Sequence, residues 1–147
     1  MNDGEGIRTT VFFKGCPLRC KWCHNPESQQ TRPQIGFDET KCLYCGKCTV
    51  LCKKGCHTVG EKREFFRDRC DGCGECISPT CDALELFGEE MSAEEIMSVV
   101  LRDRDFYEAS GGGLTLSGGE PLLQAEFVRE VFTLCHDEGI HTCLDPS

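Results

Sequence analysis

Three cysteines in the stretch "GCPLRCKWCHNPES", residues 15–28, pose the first chemical question. Cys16, Cys20 and Cys23 are spaced C-x-x-x-C-x-x-C. A [4Fe–4S] cluster normally takes one Cys thiolate on each iron. Three thiolates on one tight loop therefore hold three irons and leave the fourth open. An open position is what separates a catalytic metal site from a structural one. The competing completion is a zinc site closed by His24, which follows Cys23 directly.

Further along, "CLYCGKCTVLC" sets Cys42, Cys45, Cys48 and Cys52 in the C-x-x-C-x-x-C-x-x-x-C run of bacterial ferredoxins, and "CDGCGEC" repeats its core with Cys70, Cys73 and Cys76. In two-cluster ferredoxins the fourth cysteine of each run serves the other cluster. That rule pairs Cys42, Cys45 and Cys48 with Cys81, and Cys70, Cys73 and Cys76 with Cys52. The spacing departs from the pattern at two points, since Cys81 follows Cys76 after four residues and no proline follows Cys52. Cys56 lies close enough to compete for a fourth position, and zinc ribbons are the alternative to iron.

A third chemical signal is "SGGEP", Ser117 to Pro121. Gly118 and Gly119 let backbone approach a small ligand closely, and the Glu120 carboxylate can steady an ammonium group. Standing alone, the same residues would read as a plain turn.

These residues need elements to place them. "IRTTVFF", residues 7–13, is rich in β-branched and aromatic residues and reads as a strand entering the Cys16 loop. Ser92, with Glu95 three residues on, forms a capping-box pattern, and Ile96, Val99 and Val100 give the helix after it an apolar face. "LTL", 114–116, is a short strand between glycine-rich loops. "PLLQAEFVREVFTLCHDEG" reads as an amphipathic helix with Phe127, Val128, Val131, Phe132 and Cys135 inward and Gly139 as its stop. "IHTCLD", 140–145, is a further strand. Alternating strands and helices predict an α/β fold with a parallel sheet and right-handed crossovers. A three-stranded sheet of this kind ending at Ser147 exposes an edge, so the chain reads as the front part of a larger fold.

Between Cys42 and Cys81, nine of forty residues are cysteine and few others are large and apolar. Such a segment cannot bury enough surface to offset its ordering entropy, so metal clusters are expected to act as its core. Three segments result: 1–37, the first strand and cysteine loop; 38–87, the cysteine-rich insert; and 88–147, the returning α/β part. Cys135 and Cys143 read as buried structural thiols. His57, His136 and His141 carry no role in this reading.

Composition sets limits. The 147 residues carry 25 acidic against 16 basic side chains, a formal charge of −9. That balance argues against nucleic acid, whose phosphates call for basic patches. No run approaches the roughly 20 apolar residues of a spanning helix, and "MNDGEGIRTT" lacks the apolar core of an export signal. Fourteen cysteines in C-x-x-C clusters without an export signal point to metal in a cytoplasmic protein rather than to disulfides.

Taken together, the motifs resemble the radical S-adenosylmethionine superfamily, and within it the activating enzymes of glycyl radical enzymes. "DGEGIRTTVFFKGCPLRCKWCHNPES" is similar to that family's N-terminal block, "SGGGLTLSGGEPLLQ" to its second strand and "GIHTCLD" to its third. The resemblance implies the start of a partial (β/α) barrel interrupted by a ferredoxin-like insert with two auxiliary [4Fe–4S] clusters. It implies that Cys16, Cys20 and Cys23 hold the cluster whose open iron chelates S-adenosylmethionine. Gly118, Gly119, Glu120 and Asp145 would contact that cofactor, and Trp22, Cys23 and His24 would pack on it. The implied activity is reductive cleavage of S-adenosylmethionine to a 5′-deoxyadenosyl radical, which takes a glycine Cα hydrogen from a partner enzyme. An external donor such as flavodoxin or ferredoxin would supply the electron. The insert places the chain with the relatives of the pyruvate formate-lyase activating enzymes that act on dehydratases, decarboxylases, choline lyase or benzylsuccinate synthase. Family members usually have a segment before "DGEGIRTT" and continue past the third strand. Two other readings remain: a ferredoxin-like electron carrier, and a radical enzyme acting on a small molecule or RNA.

Overall fold

A computed structural model describes residues 4–147; Asp3, which opens the family-like N-terminal block, and the start of segment 1–37 lie outside the described residues. The chain divides into two compact units, one comprising the residues up to Thr31 together with Glu90–Ser147, the other Arg32–Glu89.

The first unit is α/β. Strand β1, Arg8–Phe13, pairs in parallel with a later strand, Gly113–Gly118. That strand (β6, counting the four short strands described below) pairs in parallel with β7, His141–Leu144, so β6 is central in the order β1-β6-β7. As the middle strand it is covered on both faces, and Leu114, Thr115 and Leu116 have no exposed surface, as expected for a parallel sheet. The buried Thr115 hydroxyl accepts a 2.7 Å hydrogen bond from Arg8 Nε.

Three helices belong to this unit, and they are numbered after a short helix that precedes them in the chain, α1, Lys47–Leu51. Helix α2, Ala93–Val100, starts at Ser92 with both halves of the capping box in place: Ser92 Oγ accepts from the Glu95 N–H at 3.2 Å, and Glu95 Oε2 accepts from the Ser92 N–H at 2.7 Å. Its buried face is Ala93, Ile96, Met97 and Val100, with Val99 half-buried. Helix α3, Arg104–Ser110, buries Tyr107 and ends at Gly111, whose φ of 71° is the left-handed geometry that glycine permits. Helix α4, Ala125–Asp137, follows a 3₁₀ turn at Pro121–Gln124 and buries Val128, Val131 and Cys135, with Phe127 and Phe132 packed partly buried beside them. Cys143 is half-buried on β7, less enclosed than the sequence suggests.

The second unit has little apolar material. Strands β2, Gln34–Phe37, and β5, Leu84–Phe87, pair antiparallel and join its two ends. Between them lie the short helix α1, Lys47–Leu51, and a hairpin of β3, His57–Val59, with β4, Arg63–Phe65. Its core is Ile35, Cys76 and Leu84, with Cys48, Cys52, Cys70 and Cys81 among the partly buried residues packed on it. Cysteine thus supplies much of the interior of this unit. Among the described residues no helix is long and apolar enough to cross a membrane.

Candidate functional site

At the carboxyl ends of the parallel strands the first unit gathers its chemistry-bearing side chains, the place where open α/β sheets bind ligands. β1 runs into the Cys16 loop, and β6 runs into the Gly118–Glu120 segment. The two segments are tied together by backbone: Gly119 N–H donates to Phe13 O at 2.8 Å, and Glu120 N–H donates to Gly15 O at 2.7 Å. The glycines are explained by this tie. A Cβ on Gly118 would stand 2.6 Å from Phe13 N, and one on Gly119 would overlap the Gly15 carbonyl oxygen. Their first partner is therefore the neighbouring loop, which they bring against the Glu120 segment.

Cys16, Cys20 and Cys23 are all half-buried and unbridged. The loop they share is held at its base, where Gly15 N–H donates to Ser28 O at 2.7 Å and Cys16 N–H donates to Gln29 O at 3.2 Å. Cys16 Sγ lies 3.8 Å from Ser147 Oγ. Ser147 in turn donates to Glu120 Oε2 from its backbone N–H at 2.9 Å and from its hydroxyl at 2.6 Å. Burial works against ionisation of Glu120, but the hydrogen bonds from Ser147 and Leu122 prevail and hold its carboxyl below the ordinary range. Asp145 Oδ2 accepts from Ser117 Oγ at 2.7 Å, and Asp145 N–H donates to Leu116 O at 2.9 Å. Cys16, Glu120 and Asp145, distant in sequence, thus share one end of one sheet. Trp22 and His24 are exposed beside Cys23. Sequence reasoning gave Ser117 no role and placed Ser147 only at the C-terminal end of the last strand, beside Asp145. Ser117 carried a usable signal, a hydroxyl at the carboxyl end of the strand, directly before the Gly118–Glu120 segment.

The second unit separates its thiols into two neighbourhoods. A cavity of about 510 Å³ is lined by Cys42, Cys45, Cys48, Cys76 and Cys81, with Arg63 and Phe37. Burial pushes the Cys48 thiol up, the Arg63 guanidinium pulls it down, and Cys42 and Cys81 add to the rise. Cys52 neighbours Cys56 and Cys76, Cys70 acts on both of these, and Cys73 acts on Cys76. Burial and the neighbouring Cys52 and Cys70 push Cys76 up to about 11, and burial with Cys52 and Cys70 pushes Cys56 up to about 12. Cys52 goes the other way. Burial opposes its ionisation, but the Cys56 N–H, 3.4 Å from its sulfur, and the Lys54 and Gly55 backbone groups lower it. Cys76 therefore borders both neighbourhoods. All fourteen cysteines are unbridged, and among the described residues no three His, Cys, Asp or Glu side chains close to ligating geometry.

The donor chemistry suits iron–sulfur clusters. Unbridged cysteine sets, a roomy cavity walled by five of them, and a backbone N–H aimed at a cysteine sulfur are the features by which proteins hold and tune such groups.

The comparisons with known proteins bear on the same residues. A family model described as a 4Fe-4S single cluster domain matches residues 2–43. The chain is 46% identical over 155 aligned positions to the (2S)-3-sulfopropanediol dehydratase activating enzyme of Klebsiella oxytoca, covering 100% of this chain and 49% of that protein. It is 44% identical to the choline trimethylamine-lyase activating enzyme of Oleidesulfovibrio alaskensis, over 99% of this chain and 48% of that one. To the benzylsuccinate synthase activating enzyme of Thauera aromatica it is 38% identical, over 100% and 46%. The chain spans about half the length of the curated relatives it matches.

Proposed function

This chain belongs to the family of glycyl radical enzyme activating enzymes, and from that premise we propose that its protein is a radical S-adenosylmethionine activase whose substrate is a glycyl radical enzyme. The observation that carries the reading is the convergence of Cys16, Glu120 and Asp145 at one end of the β1-β6-β7 sheet.

In this proposal Cys16, Cys20 and Cys23 hold a [4Fe–4S] cluster with one open iron. When bound and reduced from outside, the cluster would supply one electron to the sulfonium of S-adenosylmethionine and be oxidised in doing so, so that the C5′–S bond would break to methionine and a 5′-deoxyadenosyl radical able to take a glycine Cα hydrogen from the partner. The chain's own residues bind and orient. Glu120 Oε2, which now accepts two hydrogen bonds from Ser147, would accept those of the methionine ammonium instead. Gly118 and Gly119 hold Glu120 against the cysteine loop at the distance their missing side chains allow. Asp145, steadied by Ser117, faces the same end of the sheet and would receive a further polar group of the cofactor. Trp22 and His24 would cover it from the loop side. No side chain here acts as general acid or base, and the protein's part is to position the cofactor and exclude water.

The second unit is proposed as a ferredoxin-like insert with two auxiliary clusters, giving the segments 1–37, 38–87 and 88–147. Cys42, Cys45, Cys48 and Cys81 would hold one cluster, and Cys70, Cys73, Cys76 and Cys52 the other. The cavity wall supports the first set. The Cys56 N–H directed at Cys52 sulfur supports Cys52 over Cys56 in the second. An external flavodoxin or ferredoxin would reduce the protein in the cytoplasm.

The test uses the full-length protein, reconstituted with iron and sulfide under anaerobic conditions and reduced strongly. It should convert S-adenosylmethionine to methionine and 5′-deoxyadenosine. Iron-loaded protein that leaves the cofactor intact would overturn the activase reading and favour a plain electron carrier.

A further inference from the structure

The β3–β4 hairpin of the second unit places an unusual residue on the cysteine-lined cavity. Arg63, opposite Val59 in the hairpin register, is only 7% exposed, and both line the cavity with Cys42, Cys45, Cys48, Cys76 and Cys81. Arginine stays protonated in proteins, and burying a charge is costly unless something compensates it. Its partners are neutral. One terminal nitrogen lies 2.8 Å from His57 Nδ1, the other donates to Glu64 O, and the guanidinium sits 4.4 Å above the Phe37 ring. His57 stacks on Phe65 at 4.7 Å, and burial together with Arg63 lowers its pKa to about 4, so it is neutral near pH 7; an imidazole in any case offers no counter-charge to the guanidinium. Arg63 Nε is buried with no hydrogen-bond partner, and among the described residues no carboxylate reaches ion-pair distance of Arg63.

The other charges on this cavity are solvated. Lys41, Lys47 and Asp82 line it but are exposed; Lys41 pairs with Asp38 at 3.6 Å and Lys47 donates to Thr80. The second thiol neighbourhood has cations too, but Lys53 and Lys54 are exposed and already paired, with Glu75 at 2.8 Å and Asp71 at 3.2 Å. Exposed, neutralised pairs exert little net field. Among the described residues Arg63 alone is a buried, uncompensated positive charge, and it lines the same cavity as Cys48.

We infer that Arg63 is the counter-charge of a cluster held in this cavity and sets its reduction potential above that of its neighbour, an inference that rests on the two-cluster reading of the insert. A cluster ligated by four thiolates is an anion, and reduction adds one more negative charge. A fixed cation in a low-dielectric wall stabilises the reduced form more than the oxidised form. Net charge around the cluster is one of the levers that set such potentials. The two auxiliary clusters are thereby made unequal electron acceptors. Arg63 acts here as a positioning and tuning residue and touches no substrate.

The experiment is a redox titration followed by electron paramagnetic resonance on the full-length, iron-loaded protein. A Cys20→Ala background removes the signal of the first cluster. Arg63→Gln should lower one auxiliary couple by at least tenfold in its reduction equilibrium, ~59 mV for one electron, and leave the other unmoved. Arg63→Lys, which keeps the charge, should restore most of the difference. Equal couples in Arg63→Gln and the parent would overturn the inference while leaving the two-cluster reading intact. Should Arg63→Gln lose iron, the parent decides. Two auxiliary couples at least tenfold apart, with Cys45→Ala abolishing the higher, support the inference, whereas coincident couples refute it. Iron saturating near one cluster per chain, about four irons, would overturn the two-cluster reading and this inference with it.

Discussion

Gly119→Ala gives the sharpest test of the site. Its new Cβ would overlap the Gly15 carbonyl oxygen and stand 2.9 Å from both the Gly15 carbonyl carbon and the Ser28 oxygen. Ordinary contact begins at 3.4 Å, so the backbone must give by about 0.5 Å at Ser28 and about 1 Å at the Gly15 oxygen. All three nearest neighbours are backbone atoms, so no side chain can swing away to absorb the methyl. Overpacking of this kind costs about 1–3 kcal/mol. Parting the segments also strains the Gly119–Phe13 and Glu120–Gly15 hydrogen bonds, each worth about 0.5–1.5 kcal/mol. The combined loss is about 2–4 kcal/mol, a fall in Tm of roughly 5–15 °C for a domain of this size. Because Glu120 moves with its neighbour, binding of S-adenosylmethionine by the loaded, full-length protein should weaken at least tenfold, about 1.4 kcal/mol. Gly60→Ala calibrates the measurement, since its Cβ meets nothing within 4 Å and its φ is not left-handed. That variant should unfold within about 0.5 kcal/mol of the parent. If Gly119→Ala matches Gly60→Ala in Tm and still binds the cofactor normally, the close approach of the Glu120 segment to the cysteine loop is not what builds the site.

Three further outcomes are expected. Anaerobic reconstitution of the full-length protein should load about twelve irons per chain, three four-iron clusters, and saturation near four would remove the insert assignment. Cys20→Ala should abolish cleavage of S-adenosylmethionine while the insert's iron signals persist, whereas Cys45→Ala should lower iron content and thermal stability together if, as proposed, clusters there replace a core; cleavage surviving in Cys20→Ala would put the open iron elsewhere. Ser92→Ala removes one half of the α2 capping box and should cost about 1 kcal/mol, read as a shift in denaturant midpoint with no change in iron content.

Local signals were the legible ones. The β-branched run before Cys16, the Ser92 capping box and the period of Phe127 to Cys135 each lie within one element, and each element formed where its pattern placed it. The α3 helix was passed over, although Gly111 marks its end, because only Tyr107 is buried on its seven residues and no periodicity announces it. Pairing across long separations was not legible either. Ile35 faces Leu86 and Phe37 faces Leu84 across the whole insert, and such contacts depend on partners that no local window contains. Gly36 looks like a breaker in "QIGF", but its missing side chain leaves room for the Phe87 ring. For the candidate site, residue types and spacing named the cysteines and Glu120, and the family resemblance named Asp145. They did not show that Gly118 and Gly119 face the cysteine loop before any ligand.

The oversight with most consequence was His57 and Arg63. Read along the chain, "HTVGEKREF" is a polar stretch with a histidine of no evident use and an arginine resembling any solvated cation. Folded into a three-residue hairpin, the same residues become the two buried polar side chains of a unit that has almost no apolar core. Burial of a cation is tolerable only where an anion answers it, and the unit's abundant potential anions are thiolates. The sequence feature that makes the insert look unable to fold, cysteine in place of leucine, is therefore also what permits a buried arginine. Under the proposed two-cluster reading, stability and electron affinity of the insert would then depend on the same occupancy: metal would fix the thiolates, the thiolates would balance Arg63, and Arg63 would bias where an electron rests.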